Sequence, residues 1–132
     1  MKVLALDFGS ARTGVAVSDP TGLIARPLCV VERAGSEDGL AELARIVGEQ
    51  EPEQVIVGLP LTLRGERGEQ AHATERFSAT LRGLLDVPVL LFDERFTTDL
   101  AQQTPAASSE EDARAAAHLL SSYLAWSSGA PA

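Results

Sequence analysis

A chain of 132 residues, 45% of them apolar and grouped in periodic blocks, can bury the core of one domain and is not a disordered segment. Its formal charge of −8 weighs against nucleic-acid binding, since polyanions are held by clustered Lys and Arg. It does not exclude it: ten arginines accompany the single Lys2, arginine makes the better bidentate phosphate contact, and metal-ligand carboxylates are neutralised once the ion binds.

Val3 to Leu6 is an apolar run that delivers Asp7 and breaks at Gly9, and Val15 to Val17 is a second run ending at Ser18-Asp19. Together they read as strand, tight turn and strand, with turn residues small enough for a phosphate or hydrated metal to approach the backbone. Taken alone, Asp7 reads equally well as a solvated hairpin carboxylate. Leu23 to Val31 forms a third strand whose Pro27 suits an edge position, completing an antiparallel meander. Cys29 within it reads as a small core residue.

Ser36 is the expected N-cap of a helix carrying Leu40, Leu43, Ala44 and Val47 on one face, and Pro52 ends that segment. Gln54 to Leu59 is nearly continuous in apolar residues, as a strand covered on both faces would be. After a loop from Thr62 to Gly68, a second helix runs from about Glu69 to Leu85 with Ala73, Phe77, Leu81, Leu84 and Leu85 on its buried side. Val87 to Phe92 is a further buried strand ending in Asp93-Glu94-Arg95. These alternations imply right-handed parallel crossovers, hence a mixed sheet with helices on its faces. Residues 97–111 are small and polar and read as a loop, with a helical turn at Thr98 to Gln103 stopped by Pro105. The last helix starts near Ser109 and buries Ala113, Ala116, Ala117, Leu120, Tyr123 and Leu124, and the tail from about 127 to 132 is frayed.

Neither a membrane-spanning nor a secreted protein is expected. No apolar run approaches the ~20 residues of a spanning helix, and Met1-Lys2 enters a strand with no signal-peptide pattern. Cys29 is alone, so no intrachain disulfide forms, as suits a reducing cytoplasm.

Three acidic positions carry the chemistry. Asp7 ends the first strand, Asp93 and Glu94 end the last, and Asp112 opens the final helix beside its buried stripe. Parallel neighbours place their carboxyl ends along one edge, so Asp7 and Glu94 face one crevice if their strands lie close, and Asp112 reaches it from the helix. Converging carboxylates need protons or a divalent cation between them, and oxygen ligands without Cys or His favour Mg²⁺ or Mn²⁺. Two such ions suit phosphodiester hydrolysis.

Four motifs now resemble one family: LDFGSARTGVAVSDP at Leu4 to Pro20, VGLPLTLRGERG at Val57 to Gly68, FDERFTT at Phe92 to Thr98, and DARAAAHLLSSYL at Asp112 to Leu124. The sequence resembles the YqgF or RuvX-like family of Holliday-junction resolvases and pre-16S rRNA nucleases over nearly its whole length. The resemblance implies one ribonuclease-H-like domain over residues 1–132, with a five-stranded sheet of order 3-2-1-4-5 whose second strand is antiparallel. It implies a two-metal nuclease with Asp7, Glu94 and Asp112 as catalytic and metal-ligating set, acting on structured RNA (pre-16S rRNA) or branched DNA. Asp93 stays as an alternative to Glu94, because strand alternation does not choose between neighbours. The ribosome is an expected partner, the location cytoplasmic, and the chain a monomer or homodimer.

One departure bears on substrate grip. Family members carry a longer Lys/Arg-rich segment before the last helix, whereas residues 99–111 here hold no basic residue and end Ser-Ser-Glu-Glu. Arg12, Arg64, Arg67 and Arg95 are then the candidate phosphate contacts, with Thr97 and Thr98 as turn caps and His72 and His118 structural. Two other readings stand beside the nuclease. One is a catalytically weak ribosome-associated or regulatory factor. The other is an actin-like ATPase, whose phosphate loop Asp7-Phe8-Gly9 resembles but which needs two such domains.

Overall fold

The computed structural model describes residues 1–62, 64–96 and 109–128. Five strands form one sheet of order β3-β2-β1-β4-β5: β1 (Val3–Asp7), β2 (Arg12–Ser18), β3 (Ala25–Glu32), β4 (Gln54–Leu59) and β5 (Val89–Asp93). β1 pairs antiparallel with β2 and parallel with β4, which pairs parallel with β5. The strand order and the single antiparallel insertion agree with the ribonuclease-H-like sheet expected from the motifs.

Three helices cover the sheet: α1 (Glu37–Gln50), α2 (Glu69–Leu84) and α3 (Ser109–Ser127). Alternation along the strands divides their side chains between two cores. Leu4, Leu6, Val55 and Val57 pack with Leu43, Ile46, Phe77 and Leu81 of α1 and α2. Val3, Ala5, Ile56 and Phe92 face Ala116, Leu119, Leu120 and Tyr123 of α3. The central strands are therefore apolar on both sides, as Gln54 to Leu59 suggested. Ser36 caps α1 as expected, its Oγ accepting from Gly39 N at 3.1 Å.

Three sequence expectations need correction. The third strand starts at Ala25, not Leu23, because Asp19 accepts the N–H groups of Leu23 and Ile24 at 2.8 Å each and bends the chain into a turn. Leu23 and Ile24 are consequently exposed. The last strand begins at Val89 and lies at the sheet edge, where Leu90 is 41% exposed rather than covered. In α2 the buried face runs through Ala71, Thr74, Phe77, Ser78 and Leu81, while Leu84 is 47% exposed. Apolar residues alone mislead there, since Thr74 satisfies its hydroxyl within the helix by donating to Gln70 O at 2.8 Å. Pro27 does lie on an edge strand, beside a register shift between Val15 and Ala16. The expected loop and helical turn of residues 97–108 and the end of the tail lie outside the described residues.

Alanines in α3 and Gly14 in β2 bring helix and sheet together. A Cβ on Gly14 would fall on the carbonyl oxygen of Asp112, at the first turn of α3. Gly14→Ala should therefore lower stability by about 2–3 kcal/mol, because the helix must move off the sheet. Gly48→Ala in α1, where an added Cβ meets nothing within 4 Å, should raise it by about 0.5–1 kcal/mol. Urea unfolding of both variants reads the contrast.

Candidate active site

Asp7 and Glu94 meet at the carboxyl ends of β1 and β5. β4 lies between these strands, and Gly58 of β4 makes the meeting possible. A Cβ at that position would stand 2.5 Å from Glu94 Oε1 and 3.0 Å from Leu119 Cδ2. The strand-end turn Glu94–Phe96 folds the glutamate inward over this gap. A glycine inside QVIVGL was the available signal, since a strand-interior glycine marks close approach of another group. The sequence reading did not use it.

The two carboxyl groups lie side by side and would repel if both were ionised, so the pair favours holding one proton between them. Burial raises the pKa of both groups. The charge of Asp7 and the hydrogen bond to it act further on Glu94, which is pushed up to about 8. Asp7 feels the Asp112 charge as well, while accepting from Glu94 opposes its rise. The shared proton therefore belongs to Glu94, which donates it to Asp7.

Glu94 rather than Asp93 is the residue that lies against Asp7. Asp93 turns to Arg95, receiving its Nη2 at 2.6 Å, its Nε at 2.9 Å and its backbone N–H at 2.9 Å. These bonds hold the Asp93 carboxyl below the usual range. Asp112, in the first turn of α3, pairs with Arg12, whose Nε stands 2.8 Å from Oδ2. No N–H aims squarely at that oxygen, so among the described residues it is buried without a hydrogen bond.

The four candidate arginines separate. Arg12 and Arg95 sit at the site, each on an acidic neighbour, and Arg67 pairs with Glu75 of α2 at 3.2 Å. Arg64 is exposed in the loop before α2. Next to it, Gly65 takes a φ of 82°, and an added Cβ there would stand 3.1 Å from Arg95 Nη1, so the loop passes close to the strand end. His72 is exposed and 3.8 Å from Glu75, while His118 is half-buried on α3. Thr97 and Thr98 lie outside the described residues. Two residues absent from the sequence reading fix the turn after Asp7. Gln70 Nε2 donates to Phe8 O at 3.2 Å, and buried Thr13 accepts from Gly9 N at 3.4 Å.

An all-oxygen set suits a hard divalent cation. Asp7 and Glu94 repel unless protonated, and the buried Asp112 Oδ2 lacks a hydrogen bond, so these residues fit such an ion. The three do not yet form one coordination sphere. Among the described residues no three Asp, Glu, His or Cys side chains are arranged to hold a metal. Two carboxylates converge, and the third is held by Arg12.

The sheet order, with an acidic pair at its carboxyl edge, is that of the ribonuclease-H-like fold. The chain belongs to the RuvX family, described as Holliday junction resolvase, whose pattern matches residues 1–126. A relative from Chloroflexus aurantiacus, named "Putative pre-16S rRNA nuclease", is 48% identical over 76% of this chain and 66% of its own length. One of the same name from Chloroflexus aggregans is 43% identical over 92% of each chain. The fold is similar to that of RuvC from T. thermophilus in complex with a Holliday junction substrate, with TM-score 0.64, 21% identity, and 98% and 96% of the two chains covered. The fowlpox virus Holliday junction resolvase superposes with TM-score 0.56 at 15% identity, covering 94% and 98%. No helix among the described residues is long and apolar enough to cross a membrane.

The raised pKa of Glu94 has a consequence for stability. Below its ordinary value of 4.5, folded and unfolded chains both hold the proton; as pH rises to about 8 the unfolded chain releases it first, and the folded state loses ground. In EDTA, the melting temperature should fall across this window, and Glu94→Gln should remove most of the slope. Melting curves at successive pH values test this.

Proposed function

We propose that the chain is a divalent-metal-dependent endonuclease that hydrolyses a phosphodiester in structured RNA, the 5′ leader of pre-16S rRNA, in the cytoplasm and beside the ribosome. One observation carries this reading: a buried Asp7–Glu94 contact at the carboxyl edge of the sheet, with Asp112 on the adjoining helix end. The names of the Chloroflexus relatives support the substrate.

Asp7 is the central ligand, held by a strand buried on both sides. Glu94, once its proton is released to solvent, and Asp112 would complete the set that holds the ion. Mg²⁺ or Mn²⁺, as a pair of ions, would supply an activated water and neutralise charge at the leaving oxygen. Asp93 stays on Arg95, keeping a competing carboxylate away and fixing the strand end. Arg12, Arg64 and Arg67 offer contacts to the phosphate backbone, although Arg12 and Arg67 already pair with carboxylates of this chain. That pairing and the −8 charge favour one second reading, a ribosome-associated binding factor with weak catalysis.

Purified protein with Mg²⁺ or Mn²⁺ should cleave a pre-16S leader RNA in preference to a four-way DNA junction. Asp7→Asn and Glu94→Gln should each lower the rate ~10³-fold, as expected for loss of a metal ligand. Asp93→Asn should stay within about tenfold of the parent. Preference for the junction would move the substrate to branched DNA. Neither substrate being cut with either ion would contradict the enzyme reading.

A further inference from the structure

Asp112 is where the site departs most from a closed metal sphere, and Arg12 is the reason. The guanidinium belongs to the first residue of β2, and its partner to the first turn of α3. Gly14, two residues further along β2, lets the Asp112 backbone sit directly against the strand, so the two side chains stay in reach of each other. The contact is one ion pair at 2.8 Å to a buried oxygen that no N–H addresses squarely. It neutralises Asp112 without satisfying it.

The other side of Arg12 borders a groove of about 430 Å³ lined by Ser10, Ala11, Arg12, Glu32 and Arg33. Arg33 has a φ of 45°, a left-handed conformation that costs energy for a residue with a side chain. It is pinned there by donating its N–H to Ala11 O at 2.9 Å and by its carbonyl, which accepts from Ser36 Oγ at 2.6 Å. The Arg33 side chain lines the same groove as Arg12. Arg12 is one-third exposed, and it both pairs with the Asp112 carboxylate and lines this groove.

We propose that Arg12 is a positioning residue shared between Asp112 and the substrate: a phosphate of the nucleic-acid backbone lying in the groove draws the guanidinium off, and the released carboxylate joins Asp7 and Glu94 at the metal. This rests on the reading of the site as a metal-dependent nuclease. A phosphodiester presents two non-bridging oxygens that match the guanidinium fork, a geometry that the misaligned contact to Asp112 does not offer. Once Arg12 leaves, Asp112 is a partly buried charge without a counterion, and a divalent cation is the available replacement. Phosphate and metal then strengthen each other's binding by the same factor. Glu32, the cross-strand partner of Arg12, lines the same groove, so a phosphate there is drawn by Arg12 and Arg33 against one carboxylate.

The test is Mn²⁺ affinity, read from the paramagnetic resonance signal of the free ion without any turnover. With no nucleic acid present, Arg12→Gln should bind Mn²⁺ about 5–10-fold more tightly than the parent, and Arg12→Lys, which keeps the charge, should stay near it. A phosphorothioate RNA hairpin should tighten Mn²⁺ binding by a similar factor in the parent and leave Arg12→Gln unchanged. Thermal melting confirms that each variant is folded, and the hairpin arm on the parent needs no variant. If the parent binds Mn²⁺ but Arg12→Gln binds no more tightly, and the hairpin has no effect, the shared role is overturned while the metal site stands. If neither protein binds Mn²⁺ at millimolar concentration, the metal reading falls and this inference with it.

Discussion

Two carboxyl groups from strands that are not adjacent are pressed together at the edge of an apolar sheet, and most of the site follows from that contact. Asp7 is carried by Val3 to Leu6, all buried, and Glu94 folds over from the end of β5. Both groups are half-buried, and burial with mutual repulsion favours one shared proton at a pH where free carboxylates would both be ionised. Such a contact costs stability in isolation. It is retained because the fold around it is strongly over-determined, and a cation in place of the proton would turn repulsion into ligation.

The surrounding packing serves the same geometry. Gly58 removes the one side chain that would separate Glu94 from Asp7, and Gly14 removes the one that would hold Asp112 off the sheet. Alanines at 113, 116 and 117 let α3 lie low over β1 and β2. The acidic residues thus come from three elements whose positions are set by close backbone approach rather than by contacts among the acids themselves. The charges nearby are locally balanced, Asp93 by Arg95 and Asp112 by Arg12. A chain of net charge −8 therefore carries its site-side arginines already engaged.

Much of this was legible in the sequence. Apolar runs marked all five strands, Ser36 marked the cap of α1, and the family resemblance carried by the four motifs implied the sheet order that the fold has. Reading apolar residues as buried failed where burial was incomplete: the edge strand exposes Leu90, and the stripe of α2 includes Thr74 and Ser78 while Leu84 is exposed. Asp93 and Glu94 are adjacent, and only the three-dimensional turn after β5 separates a carboxylate facing Asp7 from one facing Arg95. The Arg12–Asp112 pair spans 100 positions, and no local pattern announces it. The strand-interior Gly58 did carry a signal, because only a close neighbour explains a glycine in an otherwise apolar strand.

The central claim is that Asp7 and Glu94 hold one proton that a divalent cation displaces. Calorimetric titration with Mn²⁺ at a series of pH values, repeated in buffers of different ionisation enthalpy, measures that proton directly. The account predicts release of about one proton per site below pH 8 and an affinity rising roughly tenfold per pH unit until it levels off near about 8. Mn²⁺ binding with no proton release and no dependence on pH would contradict it.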